Sequence, residues 1–189
     1  MSDNTKRWPL ELAAFTARGV MEQLRPFCEQ IEIVGSIRRQ KLDVGDMELL
    51  YVPKCSLVPD GLFDQKVEDK ADKFVSELIK SGVLAFRPNV NGAVTCGPKN
   101  KFLIHVASGI PLDLFATNHK NWWVSLVIRT GGKDTNLALT TGAQRFNKSL
   151  NAYGCGVTDR ATREVTPATS ERHVFELCGV PYKEPHERA

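Results

Sequence analysis

The stretch Asp46-Met47-Glu48-Leu49-Leu50-Tyr51-Val52 limits what this chain can become more than any other. Side chains alternate along a strand, so a strand over Met47–Val52 turns Asp46 and Glu48 to one face while Met47 and Leu49 enter the core. Two carboxylates so close repel and raise each other's pKa unless a cation joins them. Hard oxygen ligands of this kind suit magnesium or manganese. The segment calls for a sheet with one packed face and one face that carries negative charge.

Upstream, Ile31-Glu32-Ile33-Val34 is strand-like and β-branched, and it ends at Gly35-Ser36. A glycine there lets the backbone approach a phosphate, the serine supplies an amide and a hydroxyl, and Arg39 adds a charge-assisted contact. Downstream, Ile110-Pro111-Leu112-Asp113-Leu114-Phe115 places one acid inside an apolar run. A buried Asp without a partner is costly, so Asp113 is expected to be paired or metal-bound. Taken singly, a Gly-Ser pair is an ordinary turn and Asp-x-Glu an ordinary solvent-facing stripe. Three carboxylates from two neighbouring strands beside a phosphate-gripping turn form the arrangement of two-metal, in-line phosphoryl transfer.

The rest of the chain reads as alternating helix and strand. Leu10, Ala13, Ala17, Val20, Met21 and Leu24 recur at a helical period between Pro9 and Pro26. The spacing predicts a second helix over 62–81, through Val67, Ala71, Phe74, Val75, Leu78 and Ile79, with Gly82 as its stop. Strands are expected at Val83–Phe86, Ala93–Cys96, Phe102–Val106 and Ile110–Phe115. Short helices are expected at 122–129, 133–141 and 144–150, and a last one near 170–177, capped by Thr169 or Ser170 and stopped by Gly179. The fold class is α+β: a mixed sheet flanked by helices over 1–118, then a smaller, mainly helical domain over 119–189.

Composition narrows the setting. With 189 residues, 42% apolar and 25% charged, the chain is an ordinary globular protein. No apolar run approaches the roughly 20 residues of a membrane span, and the polar start lacks a secretory h-region. A soluble, intracellular protein follows, in the cytoplasm, nucleoid or nucleus, with a viral source among the options and a monomer as the default. Net charge is only +3, so any nucleic-acid surface rests on local clusters: Arg38/Arg39/Lys41, Lys99/Lys101, Arg145/Lys148 and Arg160/Arg163. Each alone reads as a solvated face. The five cysteines are scattered without a CxxC pair, which reads as reduced, mostly buried thiols rather than a zinc site.

GSIRRQKLDVGDMELLYV resembles the palm motif of family X DNA polymerases, the group of DNA polymerase beta, and LDLF resembles their third-acid strand. Arg129-Thr130-Gly131-Gly132 with Asn136, and the closing stretch from Ser170 to Arg188, are similar to the family's thumb. The resemblance implies a nucleotidyltransferase palm and a thumb that binds nucleotide and DNA. It implies that Asp46, Glu48 and Asp113 hold two Mg²⁺ ions (or Mn²⁺) and activate the primer 3′-hydroxyl. It further implies that Gly35, Ser36, Arg39 and Gly45 grip the β- and γ-phosphates. Ile128, Arg129, Thr130, Gly131 and Asn136 would meet the sugar and base, with a cis Gly131–Gly132 bond.

The sequence departs from the family in places. The second acid is Glu48 rather than Asp; Ile128 and Arg129 stand where an aromatic pair is common, which implies weak discrimination between ribose and deoxyribose. Thr140 stands where an Arg would meet the template, and Pro111 replaces a basic residue beside the third acid. A single helix before the palm implies a minimal form without the lyase domain or the helix-hairpin-helix fingers. The leading reading is a metal-dependent, DNA-directed DNA polymerase acting on primer-template or gapped DNA with dNTPs (or NTPs), in gap filling or repair. The alternatives are untemplated terminal, RNA or small-acceptor nucleotidyl transfer, and an inactive DNA- or nucleotide-binding protein.

Overall fold

The computed structural model describes residues 6–60, 64–89 and 91–188. The chain divides into two units, Met1–Ile33 with Asp43–Ala116, and Val34–Leu42 with Thr117–Ala189.

The first unit is built on a five-stranded mixed sheet. Its strands are β2 (Cys28–Ile33), β4 (Met47–Pro53), β7 (Leu84–Phe86), β8 (Asn100–His105) and β9 (Ile110–Ala116), in the order β2-β4-β9-β8-β7. Only the central pair, β4 with β9, is parallel; the others are antiparallel. Helix α1 (Leu10–Leu24) buries Ala13, Ala14, Ala17, Val20 and Leu24, and α3 (Lys70–Lys80) buries Ala71, Val75 and Leu78. The small alanines of α1 allow close approach, while the branched residues of α3 fill volume. A short bridge of β1 (Trp8–Pro9) to β3 (Asp43–Val44) ties the start of α1 to the approach to β4.

Where a single helix over 62–81 is expected, the chain forms a two-stranded ribbon and then a shorter helix. Strand β5 (Cys55–Asp60) pairs with β6 (Asp64–Asp69), and Val67 sits opposite Leu57 in register. The helix starts only at Lys70, because Asp69 caps it by accepting from the Asp72 amide at 2.8 Å. Val67 fits the helical period by coincidence; it is exposed in the ribbon. Residues 62 and 63 of that expectation lie outside the described residues. Ala93–Cys96 forms no strand either, only the isolated bridges Pro88–Val94 and Cys96–Lys101. Cys55 and Cys96 are exposed, so the thiols are less uniformly buried than the composition implied.

The second unit combines α2 (Gly35–Arg38), α4 (Trp122–Thr130), α5 (Lys133–Arg145) and α6 (Glu171–Leu177) with a small antiparallel sheet. That sheet is β10 (Lys148–Leu150), β11 (Gly156–Asp159) and β12 (Val165–Pro167), and it occupies part of the stretch expected to be a helix over 144–150. Phe146 and left-handed Asn147 end α5 and reverse the chain into β10. The core of this unit is Val124, Val127, Leu139, Ala143, Val157, Ala168, Val174, Phe175 and Cys178. Gly142 and Gly156 are points of closest approach: a Cβ would overlap the Cys178 carbonyl at the first and the Thr166 carbonyl at the second. Ser170 caps α6 by accepting from the His173 amide at 3.0 Å.

Candidate active site

Strand register decides where the acids stand. Across the parallel pair, Met47 faces Leu112, Glu48 faces Asp113 and Leu49 faces Leu114. Strand alternation then sends Met47 and Leu49 to one side, where both are fully buried, and Glu48 with Asp113 to the other. Asp46, two positions before Glu48 and just ahead of β4, is half-buried. Neighbouring strands lie about 4.8 Å apart, so Glu48 and Asp113 are side by side on the sheet.

Asp113 is 9% exposed, and it is paired as its apolar surroundings require. Arg87 Nη2 donates to Asp113 Oδ1 at 2.5 Å. This arginine has no counterpart in the sequence reading. It follows β7, its amide donates to the Phe102 carbonyl at 3.1 Å, and Phe102 is the β8 partner of Asp113. Glu48, Asp113 and Phe102 thus form one row across three strands, which Arg87, just past the end of β7, extends.

The carboxylate oxygens of Asp46, Glu48 and Asp113 have the donor chemistry of a site for hard divalent cations. Among the described residues, however, no three His, Cys, Asp or Glu side chains converge into a ready metal-binding group. The donors fit Mg²⁺ or Mn²⁺ in kind, while one of them is committed to an arginine.

The Gly-Ser turn belongs to the second unit. Gly35 adopts φ 65°, a left-handed conformation that favours glycine, and a single helical turn follows it. The Ser36 hydroxyl is buried without a hydrogen-bond partner among the described residues, which suits a group that awaits an acceptor or donor from a ligand. The two arginines tie this turn to the end of α4. Arg38 Nη1 donates to Thr130 Oγ1 at 2.8 Å, and Arg39 Nη1 donates to the Thr130 carbonyl at 2.6 Å. Gly35, Ser36, Arg39 and Thr130 are therefore brought together, whereas Gly45 lies in the other unit and a Cβ there would meet nothing within 4 Å.

Arg38 also forms a two-pronged pair with Glu171, at 2.8 and 2.9 Å, and Arg188 Nη1 reaches the same carboxylate at 2.9 Å. Burial works to raise the Glu171 pKa, but the hydrogen bonds from Arg38 and Arg188 outweigh it and hold the carboxyl below its ordinary range. Arg188 lies over the rings of Phe175 and Tyr182. Glu171 thereby locks the Gly-Ser turn to the C-terminal helix.

Around the glycine pair, Asn136 Nδ2 donates to the Ile128 carbonyl at 2.9 Å, spanning Arg129 to Gly132. An added Cβ on Gly131 would stand 2.7 Å from Asn136 Oδ1, which explains the glycine. No described peptide bond is cis, so the Gly131–Gly132 bond is trans, contrary to the expectation. Arg129 donates to the Tyr153 hydroxyl at 3.3 Å. The Thr140 hydroxyl donates back to its own helix, to Asn136 and Leu137 carbonyls at 3.0 Å.

Residues 125–189 match the family model described as DNA polymerase beta thumb. In three dimensions the chain is similar to polymerase beta of Leishmania infantum, solved as a ternary P/T complex, with a TM-score of 0.72 and 17% sequence identity. That similarity covers 97% of this chain and 77% of the Leishmania one. The chain is family X polymerase-like in fold.

Within this polymerase beta-like fold, two residues of the candidate basic clusters are internal ties rather than parts of a solvated face. Of the basic clusters, Arg38 is bound to Glu171, and Lys101 is buried with its ammonium 2.6 Å from Asp72. The residues that sequence reasoning missed are Arg87 and the Glu171–Arg188 pair. Only the requirement that buried Asp113 find a partner pointed to the first, and no spacing singles it out. No described helix is long and apolar enough to cross a membrane.

Proposed function

We propose that this chain is a metal-dependent nucleotidyltransferase of family X type, adding deoxynucleotides to a primer 3′-hydroxyl on templated or gapped DNA. The observation that carries the reading is the side-by-side register of Glu48 with Asp113, with Asp46 two residues away, in a polymerase beta-like fold. The thumb match over 125–189 and the ternary complex of the Leishmania protein support nucleic acid and nucleotide as partners.

Asp46 and Glu48 would hold the ion that accompanies the triphosphate, and the same two with Asp113 the ion beside the primer hydroxyl. Two bound Mg²⁺ or Mn²⁺ ions would supply charge neutralisation and a more acidic hydroxyl. The Gly35 turn and the Ser36 hydroxyl would receive the terminal phosphates. Thr130, held by Arg38 and Arg39, with Gly131 and Asn136, would orient sugar and base. A second reading is untemplated terminal addition, which the back-bonded Thr140 favours because a neutral, self-satisfied side chain offers a template strand no charge.

The test is extension of a labelled primer on single-stranded, primed and one-nucleotide-gapped DNA, with each dNTP and NTP offered separately in Mg²⁺ and Mn²⁺. Addition restricted to the complementary base, and lost by orders of magnitude in Asp46→Asn with the fold retained, is the expected result. Addition regardless of template would select the terminal-transferase reading. No transfer to any of these acceptors would overturn the polymerase function and leave a binding role.

A further inference from the structure

Arg87 is braced in a way that an ordinary surface arginine is not. It precedes Pro88, which holds its backbone extended, and Pro88 bridges to Val94. Its amide is tied to the Phe102 carbonyl, and its guanidinium carbon lies 5.5 Å from the centre of the Phe102 ring. Phe102 therefore acts as a platform over which the side chain crosses one strand to reach Asp113. The pair is largely shielded, with side-chain exposures of 28% for Arg87 and 12% for Asp113. In such a setting charges interact more strongly than on an open surface.

We propose that Arg87 is a built-in counter-ion for the third acid: it positions the Asp113 carboxylate in the metal-free protein and competes with a divalent cation for it. The inference rests on the reading of Asp46, Glu48 and Asp113 as metal ligands. It accounts for Glu48 and Asp113 standing side by side on one sheet face while, among the described residues, no ready three-ligand group forms. Without a cation, the adjacent carboxylates of Glu48 and Asp113 repel each other, and the arginine offsets the charge of Asp113. With a cation, the arginine must yield Asp113 Oδ1 or share it, so metal affinity is set partly by Arg87. Arg87 is thus a positioning residue, one that acts on the reaction through Asp113.

Two variants separate charge from shape. Arg87→Met keeps a long apolar side chain over Phe102 and removes the charge; Arg87→Lys keeps the charge and loses the planar fork. Mn²⁺ binding to the full chain is read from the loss of the free-ion EPR signal, with thermal melting in EDTA and in saturating Mn²⁺ alongside. Arg87→Met is expected to bind Mn²⁺ at least about tenfold more tightly than the wild type, as removal of a cation a few ångströms away requires. It should melt below the wild type in EDTA and recover in saturating Mn²⁺, since the ion stabilises the state it binds. Arg87→Lys should fall between the two. Equal or weaker Mn²⁺ binding by Arg87→Met, while Asp113→Asn weakens it, would overturn the competition and leave the metal-ligand reading intact. If the wild type takes up no Mn²⁺ and Asp113→Asn changes nothing, both ideas fall together.

Discussion

Glu171 and Arg188 meet at 2.9 Å, with the arginine side chain entirely shielded from solvent. A buried charge that loses its partner is strongly destabilising, so Glu171→Ala should cost about 3 kcal/mol or more. Glu171→Gln, which keeps an acceptor oxygen, should cost less. The pH dependence has a fixed sign. The folded Glu171 carboxyl titrates below its unfolded value, so its stabilisation is complete above the unfolded pKa and is lost as pH falls through the folded one. Urea midpoints measured from neutral pH into the acid range should fall more steeply for the wild type than for Glu171→Gln. Parallel curves would remove Glu171 as the source.

Gly131 and Asn136 make a sharper steric test. A methyl group on Gly131 would stand 2.7 Å from Asn136 Oδ1 and 3.1 Å from the Val127 carbonyl. Gly131→Ala is expected to destabilise by roughly 1–3 kcal/mol. Adding Asn136→Ala should return part of that loss, giving a coupling of about 1 kcal/mol in a double-mutant cycle. Strict additivity would mean that the clash lies elsewhere.

Two other glycines should respond in opposite directions. Gly156→Ala would drive a Cβ into the Thr166 carbonyl, a backbone atom that can move only by parting β11 from β12, and should cost about 2 kcal/mol or more. Gly19 lies inside α1 with nothing within 4 Å of an added Cβ, so Gly19→Ala should stabilise by about 0.5–1 kcal/mol. Thermal melts of both variants beside the wild type check the pair of signs.

The cysteines divide by environment. Burial pushes the Cys28 thiol up to about 12 and the Cys178 thiol up to about 11, so almost no thiolate is present at either near neutral pH. Cys55 and Cys96 are exposed. Iodoacetamide on the native protein, read by mass spectrometry, should label Cys55 and Cys96 first and reach Cys28 and Cys178 only after denaturation. Early labelling of Cys178 would show that α6 opens locally.

Much of the acid strand was legible because alternation is a strong rule: Met47 and Leu49 had to be buried if Glu48 was not. Asp113 was legible for the same reason, as a lone charge in an apolar run that needed a partner. The partner itself was not. Arg87 reaches Asp113 through strand order, a long-range property that no local pattern encodes. The expected helix over 62–81 failed at its beginning because Val67 satisfies both a helical and a two-residue period, and only the pairing with Leu57 decides between them. The strands after Arg145 were hidden because Ser149, Gly156 and Thr166 carry little apolar signal, and their ladder is fixed by close backbone approach.

The hydrogen bonds from Arg38 to Glu171 join residues 133 positions apart, and Val34–Leu42 is grouped with the C-terminal stretch rather than with its sequence neighbours. During synthesis, the Gly-Ser turn leaves the ribosome long before Thr130, Glu171 and Arg188 exist to hold it. Contacts of such separation form late, because a long loop must close before they stabilise anything. Premature termination before Thr130 would therefore yield a chain with its acid strands made and its turn at Gly35 without the Thr130, Glu171 and Arg188 ties that hold it. Quality control would meet such a product as an unfinished protein, whatever the state of its sheet.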